Sequence, residues 1–114
     1  MKTLAEKMEE MAEKGKTAKI IKIAETSKKR DERIAAISAM RLLKEEATIR
    51  SLIENLIKEE DVEIRKAVAT ALDRIATKRE TDKLMHLSNN EGEADIAEIL
   101  RIAAINSKER TPRW

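Results

Sequence analysis

Internal repetition restricts this chain more than any other feature. Shifted by 30 residues, DERIAAISAM at position 31 falls on DVEIRKAVAT at position 61, which sets Asp31 on Asp61, Ile34 on Ile64 and Ile37 on Ala67. A further shift of 32 sets Ile64 on Ile96, Ala67 on Ile99, Val68 on Leu100 and Ala71 on Ala103. The intervening segments match at a step of 32 as well, Ile20 with Leu52 and Leu84, and Ile21 with Ile53 and Met85. Within each segment the apolar residues keep helical spacing, as in Ile49, Leu52, Ile53, Leu56 and Ile57. The unit therefore reads as two antiparallel helices spanning about 30 residues. One such pair cannot bury its own apolar stripe, whereas stacked pairs share a continuous core.

Boundary residues divide the chain. Leu4, Met8, Met11 and Ala12 make the stripe of a first helix over 2–14 that caps one end, with Gly15 placed to close it in a left-handed conformation. Three repeats follow at about 17–43, 47–76 and 79–106, and the single domain spans 1–106 ahead of a tail over 107–114. Thr17, Asp31 and Asp61 are the expected N-caps, Asn89 and Asn90 close the sixth helix, Gly92 marks a turn, and Pro112 stops helical continuation.

Composition agrees with helices and rules out other classes. Of 114 residues, 41% are apolar and 40% charged, yet only one is aromatic, two are glycine and one is proline. A sandwich or barrel draws on β-branched and aromatic strands with frequent Gly or Pro turns. Disorder is disfavoured by a net charge of only +2 and by the periodic apolar residues. With no cysteine there is no disulfide, thiolate metal site or thiolate nucleophile, which suits a reducing compartment. The amino terminus lacks the apolar core of a secretory signal, and no run of 18 apolar residues spans a membrane. The cytoplasm is the expected compartment, with no membrane partner.

The run ATIRSLIENLIKEEDVEIRKAVATALDRIA, residues 47–76, resembles the HEAT-like repeat of the phycobilisome-lyase type. Asp61, Ile64, Arg65, Ala67, Ala69, Ala71 and Leu72 match that pattern position by position. The resemblance extends to residues 17–46 and, more loosely, to 78–106. Departures are Ala35 and Ala97 where Arg65 would recur, Asp73 where the pattern often has Gly, and Glu93 where Asp would cap. The chain is also similar to small stand-alone proteins of this kind in archaea. The resemblance implies an all-α, armadillo-like α-solenoid of about seven short helices, with the second helix of each pair lining a concave binding face. On that face it sets Lys22, Arg50, Glu54, Lys58, Lys83 and His86.

Chemistry-bearing motifs are sparse. His86 is the one histidine, with no His-Glu pair and no second His at the spacing of a metal site, and the repeat sets it among polar positions. HEAT-like metalloenzymes such as deoxyhypusine hydroxylase carry His-Glu motifs that this chain lacks. Glu9-Glu10, Glu45-Glu46 and Glu59-Glu60-Asp61 fall in turns or on polar faces, unlike paired catalytic acids, which need burial to separate their pKa values. Two glycines build no phosphate loop, so no catalytic residue, cofactor or metal is expected.

Charge is unevenly distributed. Residues 14–33 hold eight bases (Lys14, Lys16, Lys19, Lys22, Lys28, Lys29, Arg30, Arg33) and three acids, while 45–63 hold two bases and seven acids. A basic end and an acidic middle are expected, either as solvating faces or as a dipole on which a partner docks. Trp114, beyond Pro112, reads as a frayed end, a cover for the open end of the stack, or an insertion into a partner. The expected function is a non-catalytic protein–protein interaction module. Nucleic-acid binding through 14–33 is the alternative, although the aromatic platforms that usually accompany it are missing.

Overall fold

Local chemistry at the first helix sets both its ends. The structure is a computed structural model and describes residues 1–113; Trp114 and the expectation attached to it lie outside the described residues. Helix α1, Leu4–Glu13, begins at Thr3, whose hydroxyl accepts the Glu6 N–H while the Glu6 carboxylate accepts the Thr3 N–H. This reciprocal box satisfies two donors that the helix start leaves free. At the other end Gly15 takes φ +72°, so that its N–H reaches the Ala12 carbonyl at 2.9 Å and the Lys16 N–H reaches that of Met11 at 3.0 Å. A side chain at Gly15 would be strained in that left-handed conformation.

The remaining elements are α2 (Thr17–Thr26), α3 (Arg30–Ala39), α4 (Glu46–Arg50), α5 (Val62–Ile75), α6 (Thr81–Asn90) and α7 (Ala94–Ser107). One 3-10 turn, Met40–Leu42, prolongs α3; α4 runs on through a π-turn, Ser51–Asn55, and a 3-10 turn, Leu56–Lys58. All seven helices are as expected, and no strand occurs among the described residues.

Two of the three expected caps are displaced. Asp61 does cap α5, accepting the N–H groups of Glu63 at 2.9 Å and Ile64 at 3.3 Å. Thr17 instead lies inside α2, behind Lys16, and its hydroxyl donates to Glu45 at 2.6 Å. Asp31 lies inside the first turn of α3, behind Lys29. There the Ser27 hydroxyl accepts the Lys29 N–H and donates to Glu32, a local turn that starts the helix two residues earlier than a cap at Asp31 would. Asp31 still places negative charge at the positive end of the helix.

Burial also corrects the repeat step. Arg30, Val62 and Ala94 open α3, α5 and α7 at intervals of 32. The buried residues Ala36, Ala39, Met40 and Leu43 recur as Val68, Ala71, Leu72 and Ile75, then as Leu100, Ala103, Ala104 and Ser107. The shift of 30 that paired Asp31 with Asp61 and Ile34 with Ile64 would set buried Met40 on exposed Thr70. The step is therefore 32 for both helices of the pair, and buried Ile20, Leu52 and Leu84 keep it in the other layer.

Helices α1, α3, α5 and α7 pack side by side as one layer; α2, α4 and α6 form the other, with α2 lodged against α1, α3 and α4, and α6 against α7. The aliphatic core between the layers includes Ile20, Ile37, Met40, Leu52, Leu56, Leu72, Leu84, Ile96 and Leu100, all essentially without exposure. Alanines at 36, 39, 69, 71, 103 and 104 are buried with them and let the first helices approach closely. Ile34 is only half-buried, and Met85 and Ile102 are exposed, against their expected place in the core. The array measures 40 × 31 × 20 Å.

Candidate interaction surface

The six residues expected on the binding face, Lys22, Arg50, Glu54, Lys58, Lys83 and His86, are all exposed and all belong to the second-helix layer. Lys22, Glu54 and His86 stand 32 residues apart, at equivalent positions of α2, the π-turn after α4, and α6. Around them the second helices leave two clefts. Arg50 and Glu54 line one of about 170 Å³ with Ile49, Ile53, Arg79 and Glu80. Lys58 lines another of about 360 Å³, between the end of its own helix and the α6–α7 turn, with Leu87, Asn90 and Glu91. Arg50 is partly committed, since its guanidinium donates to Glu46 at 2.7 Å.

His86 is held from its own helix. The Asn90 amide donates to the His86 carbonyl at 2.8 Å and sits 3.5 Å from its Nδ1. Among the described residues no three His, Cys, Asp or Glu side chains gather as a metal site would require.

The basic end and the acidic middle expected of the chain meet through ion pairs. Arg30 binds Asp61 through two bonds, of 2.5 and 3.1 Å, and Arg33 pairs with Glu59 while its Nε donates to the Ala24 carbonyl at 2.7 Å. The arginines of the basic segment thus neutralise carboxylates of the acidic one across a repeat boundary. The Arg30 guanidinium holds the Asp61 carboxyl down at about 2, helped by the N–H groups of Ile64 and Glu63 that it caps and opposed by desolvation. Of the lysines in 14–33, Lys14 pairs with Glu10 at 3.2 Å, whereas Lys16, Lys19, Lys22, Lys28 and Lys29 have no carboxylate within 4 Å among the described residues.

Arg65 repeats the role of Arg33 one unit on. Its Nε and Nη2 bind the two oxygens of Glu91, both at 2.9 Å, and its Nη1 donates to the Glu59 and Glu60 carbonyls. That fork holds the Glu91 carboxyl below its usual range, and Arg65 rises in turn. Arg33 and Arg65, like Glu59 and Glu91, are separated by 32 residues. The recurrence missed under a shift of 30, which set Ala35 against Arg65, is therefore present at Arg33. Arg65 braces the neighbouring repeat. A third inter-unit clamp joins α2 to the π-turn, where the Ser51 hydroxyl and the Asn55 amide both donate to one oxygen of Glu25, at 2.6 and 3.0 Å. Nothing in the spacing of Glu25 marks that role.

A family model described as HEAT repeats matches residues 17–107. No curated protein and no solved structure gave a match.

Proposed function

Because the chain belongs to the HEAT-repeat family, whose members are in general non-catalytic protein-interaction scaffolds, we propose that it is a binding module that engages a protein partner through its second-helix layer. The observation that carries this reading is the exposed row of Lys22, Glu54 and His86 at one position of three successive units, flanked by two clefts. A partner reading such a row meets an ammonium, a carboxylate and an imidazole in succession, which favours specificity through polar and charge complementarity. The first-helix layer is less suited, because Arg30, Arg33 and Arg65 are committed to carboxylates of the chain itself, the last two largely enclosed. Within the family, the match of Asp61, Ile64, Arg65, Ala69 and Leu72 supports the phycobilisome-lyase type of repeat. No catalytic role is proposed.

The test is capture of a partner from extract of the native cell by the wild-type chain and by the triple charge reversal Lys22→Glu, Arg50→Glu, Lys58→Glu. Capture is expected to be lost while the far-ultraviolet circular dichroism stays helical; a partner held equally by both chains contradicts this surface.

A further inference from the structure

The geometry points to a phosphate-binding pocket at the end of α5, formed by Lys44, Arg110 and Arg113 with the hydroxyl-bearing Thr77 and Thr111, remote in sequence from the second-helix row. These five side chains and Ile75 line a cavity of about 180 Å³. Since water's share of the liquid is about 30 Å³, that volume admits a small oxoanion with a few waters.

The wall is built rather than incidental. Arg110 is tied to the α5–α6 connection twice: its Nη1 donates to the Ala76 carbonyl at 3.1 Å, and its own carbonyl accepts the Lys78 N–H at 2.9 Å. The chain from Arg110 to Arg113 therefore lies as a strap over the carboxyl end of α5, with Pro112 fixing one of its backbone angles. Lys44 reaches the same cavity from the turn between α3 and α4. Thr77, 4% exposed, is oriented by Glu80, which accepts both its N–H and its hydroxyl. Glu80 lines the separate cleft beside Arg50 and Glu54, and no carboxylate lines this cavity among the described residues.

That last point sets the pocket apart from the rest of the molecule. Of the ten arginines, Arg30, Arg33, Arg41, Arg50, Arg65 and Arg101 each lie within 4 Å of a carboxylate. Arg74, Arg79, Arg110 and Arg113 do not among the described residues, and the last two form with Lys44 a cavity lined by three cations and no carboxylate. Three cations around one concavity repel each other until an anion enters. A phosphate monoester, with nearly two negative charges near neutral pH and three acceptor oxygens, matches two planar guanidinium forks, an ammonium and the Thr111 hydroxyl better than a singly charged diester does, the Thr77 hydroxyl being already donated to Glu80. Inorganic phosphate and a phosphorylated side chain share that chemistry.

Titration of the full chain with inorganic phosphate, O-phosphoserine and dimethyl phosphate, followed by calorimetry and by amide chemical shifts at constant ionic strength, tests the site. Both dianions are expected to bind with Kd of about 1 mM or tighter. The shifts should centre on Thr77 and Arg110, and the monoanionic diester should bind about tenfold more weakly. Tighter binding of O-phosphoserine marks a phosphorylated side chain as the source, and tighter binding of inorganic phosphate marks the free ion. The double variant Lys44→Ala, Arg113→Ala removes two side chains that make no hydrogen bond or ion pair among the described residues, so it is expected to keep its helical dichroism while losing the binding about tenfold or more. Absence of binding by both dianions, equal binding by dimethyl phosphate, or undiminished binding in the double variant overturns the site. None of these results bears on the second-helix row.

Discussion

Thr48 is the one buried side chain among the described residues whose polar atom finds no hydrogen-bond partner. It is fully enclosed at the start of α4, where an unsatisfied hydroxyl forfeits the bond it would make to water. Replacement by the near-isosteric valine, Thr48→Val, is expected to stabilise the chain by about 1 kcal/mol in urea denaturation, against the usual trend for core substitutions. Ala69 tests packing. It is fully buried between first helices, whereas Glu63 on the same helix is exposed. Ala69→Leu overpacks that contact at a cost of about 1–3 kcal/mol, so its melting temperature should fall well below that of Glu63→Leu. Equal effects would contradict the register. Several single residues were legible in the sequence because their signals are local: Gly15 needs only its own φ, and Asp61 only the two amides that follow it. Thr17 and Asp31 were not, because a partner on another element and a serine turn decided where those helices start.

At the scale of elements, inter-unit bonds take over from local propensity. The Arg65 fork on Glu91 is largely enclosed and also satisfies two backbone carbonyls. Arg65→Ala leaves that carboxylate half-satisfied and is expected to cost about 2–3 kcal/mol in denaturation, with lysine at this position a poor rescue because it lacks the planar fork. The exposed Arg50–Glu46 pair within one helix should contribute at most about 0.5 kcal/mol by the same measurement. Acid behaviour follows from Asp61. Its carboxyl ordinarily titrates at 3.8 and is held at about 2 in the folded chain, so the stabilisation from Arg30 and the capped amides is present above the ordinary value and is lost as pH falls between the two. The urea midpoint of the wild type should therefore drop more steeply over that interval than the midpoint of Arg30→Ala. Helix number and the apolar stripes were legible, since burial imposes a 3.6-residue period. The π-turn at Ser51–Asn55 and its Glu25 clamp were not, because Ile49, Leu52, Ile53, Leu56 and Ile57 keep ordinary α-helical spacing straight through it.

For the whole molecule, a stack of helix pairs was legible from the repeat alone, and only its step needed correction, from a mixed 30 and 32 to 32 throughout. To the expected basic end and acidic middle the structure adds something no linear charge count can display: the two opposed segments lie against each other and consume part of their charge in Arg30–Asp61 and Arg33–Glu59. Outward on the second-helix layer stands the mixed row of Lys22, Glu54 and His86, with two clefts in the same layer, which is the basis for proposing that layer as the partner's docking face. The candidate face was readable only through the family resemblance, since exposure alone does not separate one solvated helix from another. Hydrogen–deuterium exchange of the chain, free and bound to the partner it captures, tests this most directly. Slowed exchange confined to segments 17–26, 46–58 and 81–90 is the predicted result, and slowing centred on 30–39 and 62–75 would contradict it.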